Sequence, residues 1–274
     1  MNHELISTLG GSQKSAAALP RETGVEFPDT APVQYHLASH VYACSTGEGV
    51  IFLDARHDRY FGVGGKDVMQ LVSAVVELRD SCSGLAAHSE SMSSEPVPFV
   101  AKRSRLVAKL VDQGLLCTGE MGTGPIRRKT VPAPEIIPLR TVAAQYRQLQ
   151  VSDIPNFAWA CVKAAWSLRR LSVESIASRV GAARGDHERF NFEQAMPLVE
   201  VFRRLRCWSF SEKNRCLFNA LALIYFLQGY GHFPYFVIGV KTAPFAAHAW
   251  VQMDGVVLDG NPASVGHFAP ILVA

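Results

Sequence analysis

The sequence has no apolar run long enough to span a bilayer. Its most apolar stretch, Ala220 to Leu227, falls far short of the roughly 20 residues a span requires. The first twenty residues lack a basic start followed by a continuous apolar segment, so no export signal is expected. No Cys-x-x-Cys pair occurs. The six cysteines, at 44, 82, 117, 161, 207 and 216, show no disulfide-framework spacing, which points to reduced thiols and a cytoplasmic setting. His36 and His40 stand four apart in an extended segment with no adjacent acid, so neither a metal nor a cofactor is expected. A phosphate-binding glycine loop is also missing. Charge is nearly balanced: 27 Lys and Arg against 24 Asp and Glu, a net +3. Short basic clusters (Arg127-Arg128-Lys129, Arg169-Arg170, Arg203-Arg204 with Arg206) read as solvated helix faces or linker. No nucleic-acid partner is expected from them.

The chain does have enough apolar material for a large core. Its 274 residues are 48% hydrophobic, which suits two ordinary domains. Residues 1–33, rich in Ser, Ala, Gly, Thr and Pro, read as a flexible arm. Short β-type runs follow at Val41 to Cys44, Gly49 to Asp54 and Arg59 to Val63, with turns at Gly47, Gly49 and the Asp54 to Asp58 segment. Helical patterns run from Lys66 to Leu78 and from about Phe99 to Gln113, with Gly114 as a stop. Leu115-Leu116-Cys117 reads as a returning strand. Residues 34–118 thus form a small α+β unit resembling a winged helix-turn-helix, a likeness that does not fix function. Residues 119–138, with Gly122, Gly124, Pro125, Pro132, Pro134 and Pro138, read as a linker.

Residues 139–274 read as helices followed by an antiparallel sheet, an α+β arrangement. Helices are expected at Thr141 to Val151, Phe157 to Leu171, Val173 to Gly181, and from Asn191, with Gln194 in a capping box, to about Arg206. A last, nearly all-apolar helix starts near Asn214 and ends before Gly229. Strands are expected at Tyr235 to Val240, Ala247 to Met253 and Val256 to Asp259.

The chemistry sits in this last part. Asn214 as N-cap places Cys216 in the first turn of a buried helix, where unpaired backbone N–H groups favour the thiolate. Asp254-Gly255 signals a two-residue hairpin turn that pairs Met253 with Val256. Trp250 then faces Asp259 and His248 faces Asn261, all on one side of the hairpin. His248 and Asp259 are diagonal neighbours about 7–8 Å apart along the backbone, a gap side chains span. A thiol, an imidazole and an orienting carboxylate are the parts of an activated cysteine nucleophile. Asn261 is the rival for the orienting role. A lone buried cysteine is more often structural; the joint arrangement favours chemistry. The other five cysteines have no comparable setting.

Four segments carry a resemblance: Cys216-Leu217-x-x-x-Leu221-Ala222-Leu223, Phe236-Val237-Ile238-Gly239-Val240, Pro244-Phe245-x-Ala247-His248-Ala249-Trp250-Val251, and Asp254-Gly255-x-Val257-Leu258. They resemble the transglutaminase-like (papain-type) cysteine peptidases that mature lasso peptides, the B proteins of lasso peptide biosynthesis. The resemblance implies a catalytic triad of Cys216, His248 and Asp259. It also implies removal of the leader from a ribosomally made precursor, and an ATP-dependent cyclase as partner. Many relatives carry an acid where Gln252 stands. Residues 34–118 resemble the PqqD-like recognition element of such systems, which implies leader binding. An extended leader would add a strand at Arg59 to Val63, with Tyr60 and Phe61 lining pockets. The substrate-binding residues expected are therefore Arg59, Tyr60, Phe61, Val63 and Trp250. The same triad also suits acyl transfer of the transglutaminase or arylamine acetyltransferase type. A non-catalytic peptide-binding or DNA-binding adaptor is the reading without chemistry.

Overall fold

The structure, a computed structural model, describes residues 35–65, 67–81, 105–118, 147–185, 192–207, 216–253, 255–258 and 262–274. The expected arm (1–33), linker (119–138), Asn191, Asn214, Asp254, Asp259 and Asn261 lie outside the described residues.

The N-terminal part contains two small antiparallel sheets. One pairs β1 (Tyr35–Leu37) with β5 (Leu116–Thr118). The other has the order β2 (Val41–Thr46), β3 (Gly49–Asp54), β4 (Arg59–Gly64). Short helices α1 (Asp67–Ala74), α2 (Val76–Ser81) and α3 (Arg105–Asp112) accompany them. The single helix expected over Lys66 to Leu78 is in fact two. It breaks at Val75, which bridges in parallel to Tyr35. Gly114 ends α3 at φ 71°, with Leu115 N–H bonded back to the Leu110 carbonyl, the left-handed stop its sequence position predicts.

Every residue of β3 is buried, because both faces of its sheet are covered. Val41, Ala43, Val50 and Phe52 pack on Leu71, Val75, Leu78, Val107 and Leu110 of the N-terminal helices. The alternate residues Cys44, Ile51, Leu53 and Ala55 join the core of the C-terminal half. A strand covered on both faces reads as a continuous apolar run, as Val50-Ile51-Phe52-Leu53 does. A polar seam adds to this contact: Glu174 N–H donates to the Ala55 carbonyl at 2.9 Å, and Arg56 Nε meets Glu174 Oε2 at 3.2 Å.

The C-terminal half packs α4 (Asp153–Arg170), α5 (Val173–Arg184), α6 (Phe192–Cys207) and α7 (Cys216–Gln228) against a four-stranded sheet. The sheet order is β8 (Val256–Val257), β7 (Ala246–Met253), β6 (Tyr235–Lys241), β9 (Ala269–Val273). A short α8 (Pro262–Val265) precedes β9. This is the mixed α+β architecture expected, with helices on an antiparallel sheet. Among the described residues, no helix is long and apolar enough to cross a membrane. The helix expected over Thr141 to Val151 is absent from 147–150, which are irregular. The Asp153 carboxylate explains this. It accepts from Gln150 N–H at 2.7 Å and from Arg147 at 3.1 Å, so the chain turns there and the helix begins at Asp153. Pro155 is tolerated in this first turn, where a missing N–H costs nothing.

The sequence also hid β9. Its Pro270 sits where the register to β6 slips between Ile238 and Gly239. A proline in a strand is placed at such an irregularity or at an edge.

Gly239 is the tightest point of the sheet. A Cβ there would lie 2.6 Å from the Trp250 ring and 3.0 Å from Phe268 Cβ. Gly239→Ala should therefore force the indole aside and cost about 1–3 kcal/mol, read as a lower denaturant midpoint with an unchanged slope.

Candidate active site

α7 positions the thiol. Asn219 to Leu227 are all buried, so the helix has no wet face and is held on every side. Ser167 Oγ and Tyr225 Oη share a hydrogen bond of 3.1 Å between α4 and α7. Asn156 Nδ2 donates to the Phe226 carbonyl at 3.1 Å. Cys216 is the first residue of this anchored helix and is half-buried.

β7 supplies the imidazole. Its register is the one the turn chemistry predicts: Met253 opposite Val256 and Gln252 opposite Val257, with Leu258 N–H bonded to the Val251 carbonyl at 2.8 Å. His248, Trp250 and Gln252 follow one another on one face. The His248 ring lies parallel to the Trp250 ring, 6.3 Å between centroids at 19°. Phe268 closes its other side at 5.4 Å. Trp250 Nε1 donates to Gln252 Oε1 at 3.0 Å. Gln252 thus fixes the indole that packs on the imidazole.

The thiol and the imidazole meet. Burial pushes the Cys216 thiol up. The hydrogen bond with His248 and the backbone N–H of Ala249 outweigh this, helped by the charge of His248 and the N–H of Leu217. The net result is a thiol below its ordinary value, a shift that favours the reactive thiolate. Cys161 shows the opposite case: burial alone pushes it up to about 11. Cys44, Cys117, Cys161 and Cys216 are free thiols, and Cys216 is hydrogen-bonded to the His248 imidazole.

The remaining expected residues are scattered. Trp250 is fully buried, which corrects its placement against substrate. It shares a face with His248, but that face is closed over it by Val237, Val257 and Val265. On β4 the side chains alternate. Phe61 and Val63 pack on the N-terminal core, and Arg59 is exposed. Tyr60 points the other way, into the C-terminal core, with its ring edge-on to Phe245 at 5.7 Å. Tyr60 and Asp58 line the slot that holds Cys216 and His248. The sequence signalled neither contact, because both residues are remote from the thiol along the chain. Phe268 was missed for the same reason. A larger groove of about 370 Å³ lies beyond Phe268, between Ser45, Thr46 and Gly47 on one side and Lys241 and Thr242 on the other. Among the described residues, no three His, Cys, Asp or Glu side chains converge on a metal-sized site.

Asp54 sets the turn that carries Asp58 and Tyr60. Its buried carboxylate accepts from Arg56 N–H at 3.1 Å, from His57 N–H at 3.2 Å and from His57 Nδ1 at 2.7 Å. Burial pushes this carboxyl up, but the bonds from His57 win and hold it below its ordinary range. The turn it closes aims Asp58, at φ 53°, and Tyr60 toward the slot.

A lowered thiol pKa means more thiolate at neutral pH than a free cysteine carries. Iodoacetamide at pH 7 should therefore modify Cys216 ahead of Cys161, read by peptide mass mapping. The rate against pH should show its midpoint well below that of Cys161. His248→Ala should move that midpoint upward.

Residues 158–273 match a family model described as the transglutaminase-like superfamily. No curated protein and no solved structure matches the chain. The C-terminal half therefore carries a transglutaminase-like domain, and its paired thiol and imidazole suit cysteine-dependent chemistry.

Proposed function

We propose that this protein is a cysteine peptidase that binds and removes the leader of a ribosomally made lasso peptide precursor. The observation that carries the reading is the thiol of Cys216, bonded to His248, in a slot whose wall includes Tyr60 of β4. The thiolate attacks the scissile carbonyl, and protonated His248 gives its proton to the leaving amine. Water, deprotonated by the neutral ring, then frees the acyl-enzyme. Asp259 orients the ring in this scheme.

The leader adds a strand to β4. Of the two edges of this sheet, β2 lies beside β9, whereas β4 has no partner on its outer side among the described residues. A leader running along β4 passes directly beside the slot, which raises the local concentration of the scissile bond. An ATP-dependent cyclase is the proposed partner. α4 offers it a surface: Ile154, Trp159, Val162 and Trp166 are exposed, an apolar stripe of the kind that marks interaction sites.

Cys216→Ala should abolish cleavage of the precursor while leader binding survives, read by mass spectrometry and by titration. A product heavier by one water marks hydrolysis; a product carrying an added amine marks acyl transfer and would overturn the peptidase assignment. Adding leader peptide to the Cys216→Ala variant should slow amide exchange along Arg59–Gly64 more than along β2 or β6.

A further inference from the structure

We propose that Tyr60 is a catalytic residue of the Cys216 site, its phenolic O–H donating a hydrogen bond to the oxyanion formed as the thiolate attacks. The inference rests on the peptidase reading and extends it to a residue outside the transglutaminase-like match, which begins at residue 158.

Several observations converge on Tyr60. Tyr60 lines the same slot as Cys216 and His248, and the slot's open volume is about 20 Å³. That is room for about one water, so it admits a carbonyl oxygen rather than a side chain. The ring is fixed by its edge contact with Phe245 and by packing on the C-terminal core. The nearby backbone donors are committed, since the N–H groups of Ala249 and Leu217 both serve the sulfur. A tetrahedral oxyanion needs donors of its own in a site shielded from water. The phenol is also kept in its donor form: burial first, then the negative charges of Asp58 and Cys216, raise its pKa.

The step balances without a further reactant. The sulfur lone pair forms the S–C bond, and the carbonyl π pair moves onto oxygen, which accepts the Tyr60 O–H bond without taking its proton. On collapse that pair re-forms C=O and the C–N bond breaks. The amine leaves with the proton from imidazolium, leaving a thioester and a neutral ring.

The test compares wild type, Tyr60→Phe and Cys216→Ala on a precursor peptide. Tyr60→Phe keeps the ring on Phe245 and loses only the hydroxyl. Its kcat should fall by about 10²–10³-fold, the usual cost of one oxyanion donor. KM should stay within about twofold, because the bond exists only in the transition state. Iodoacetamide alkylation of Cys216, which passes through no oxyanion, should keep its wild-type rate and so report an intact fold and thiolate. A peptide aldehyde, which forms a tetrahedral adduct with the thiol, should bind the variant more weakly by a similar factor. Unchanged kcat in Tyr60→Phe beside a dead Cys216→Ala overturns the proposal and leaves the peptidase reading standing. A rise in KM alone also overturns it, since the ring would then only line the slot. Full activity in Cys216→Ala removes the peptidase reading itself.

Discussion

Burial of α7 on all sides is the constraint from which the site follows. A helix with no solvated face cannot rotate or slide without exposing Leu221, Leu223, Ile224 or Phe226, so its first residue is held in one place. β7 packs on this helix through Ala249 and Val251. The alternate residues, His248 and Trp250, then fall on the other side of the strand. At the helix tip the Ala249 N–H and the His248 ring both reach the sulfur. The reactive pair thus results from strand alternation meeting a rigid helix end. Electrostatics add the selection among thiols: Cys161 is buried without a cationic neighbour, and Cys216 is buried with one.

Much of this was legible in the sequence. The hairpin register followed from the Asp254-Gly255 turn, and the pairing of Cys216 with His248 followed from helix start and strand face. Gly114 was legible as a helix stop because glycine alone adopts its φ cheaply. The part that stayed hidden is long-range. The periodicity of Val50 to Leu53 shows a strand buried on both faces, but not that its second cover is the C-terminal half. Tyr60 looked like a recognition residue for this reason; its alternation on β4 turns it toward Cys216 instead. Trp250 looked like a substrate contact because it adjoins His248, and a face that is open at 248 is closed two residues on. Side-chain chemistry also overrode helical patterning at Arg147 to Gln150, where Asp153 captures the backbone.

The sheet shared between the two halves joins what the linker-like composition of residues 119–138 would separate. Cys44, Ile51, Leu53 and Ala55 belong to the N-terminal unit by chain position and to the C-terminal core by packing. The seam they form is closely packed and apolar, so its two sides must fit at the scale of a methyl group. Grafting a foreign N-terminal unit onto this C-terminal half, cut within residues 119–138, would bring its own side chains to that seam. Chimeras of the two halves must therefore carry over the inward residues of β2 and β3, exchanging only β4's outer edge and the helices behind it.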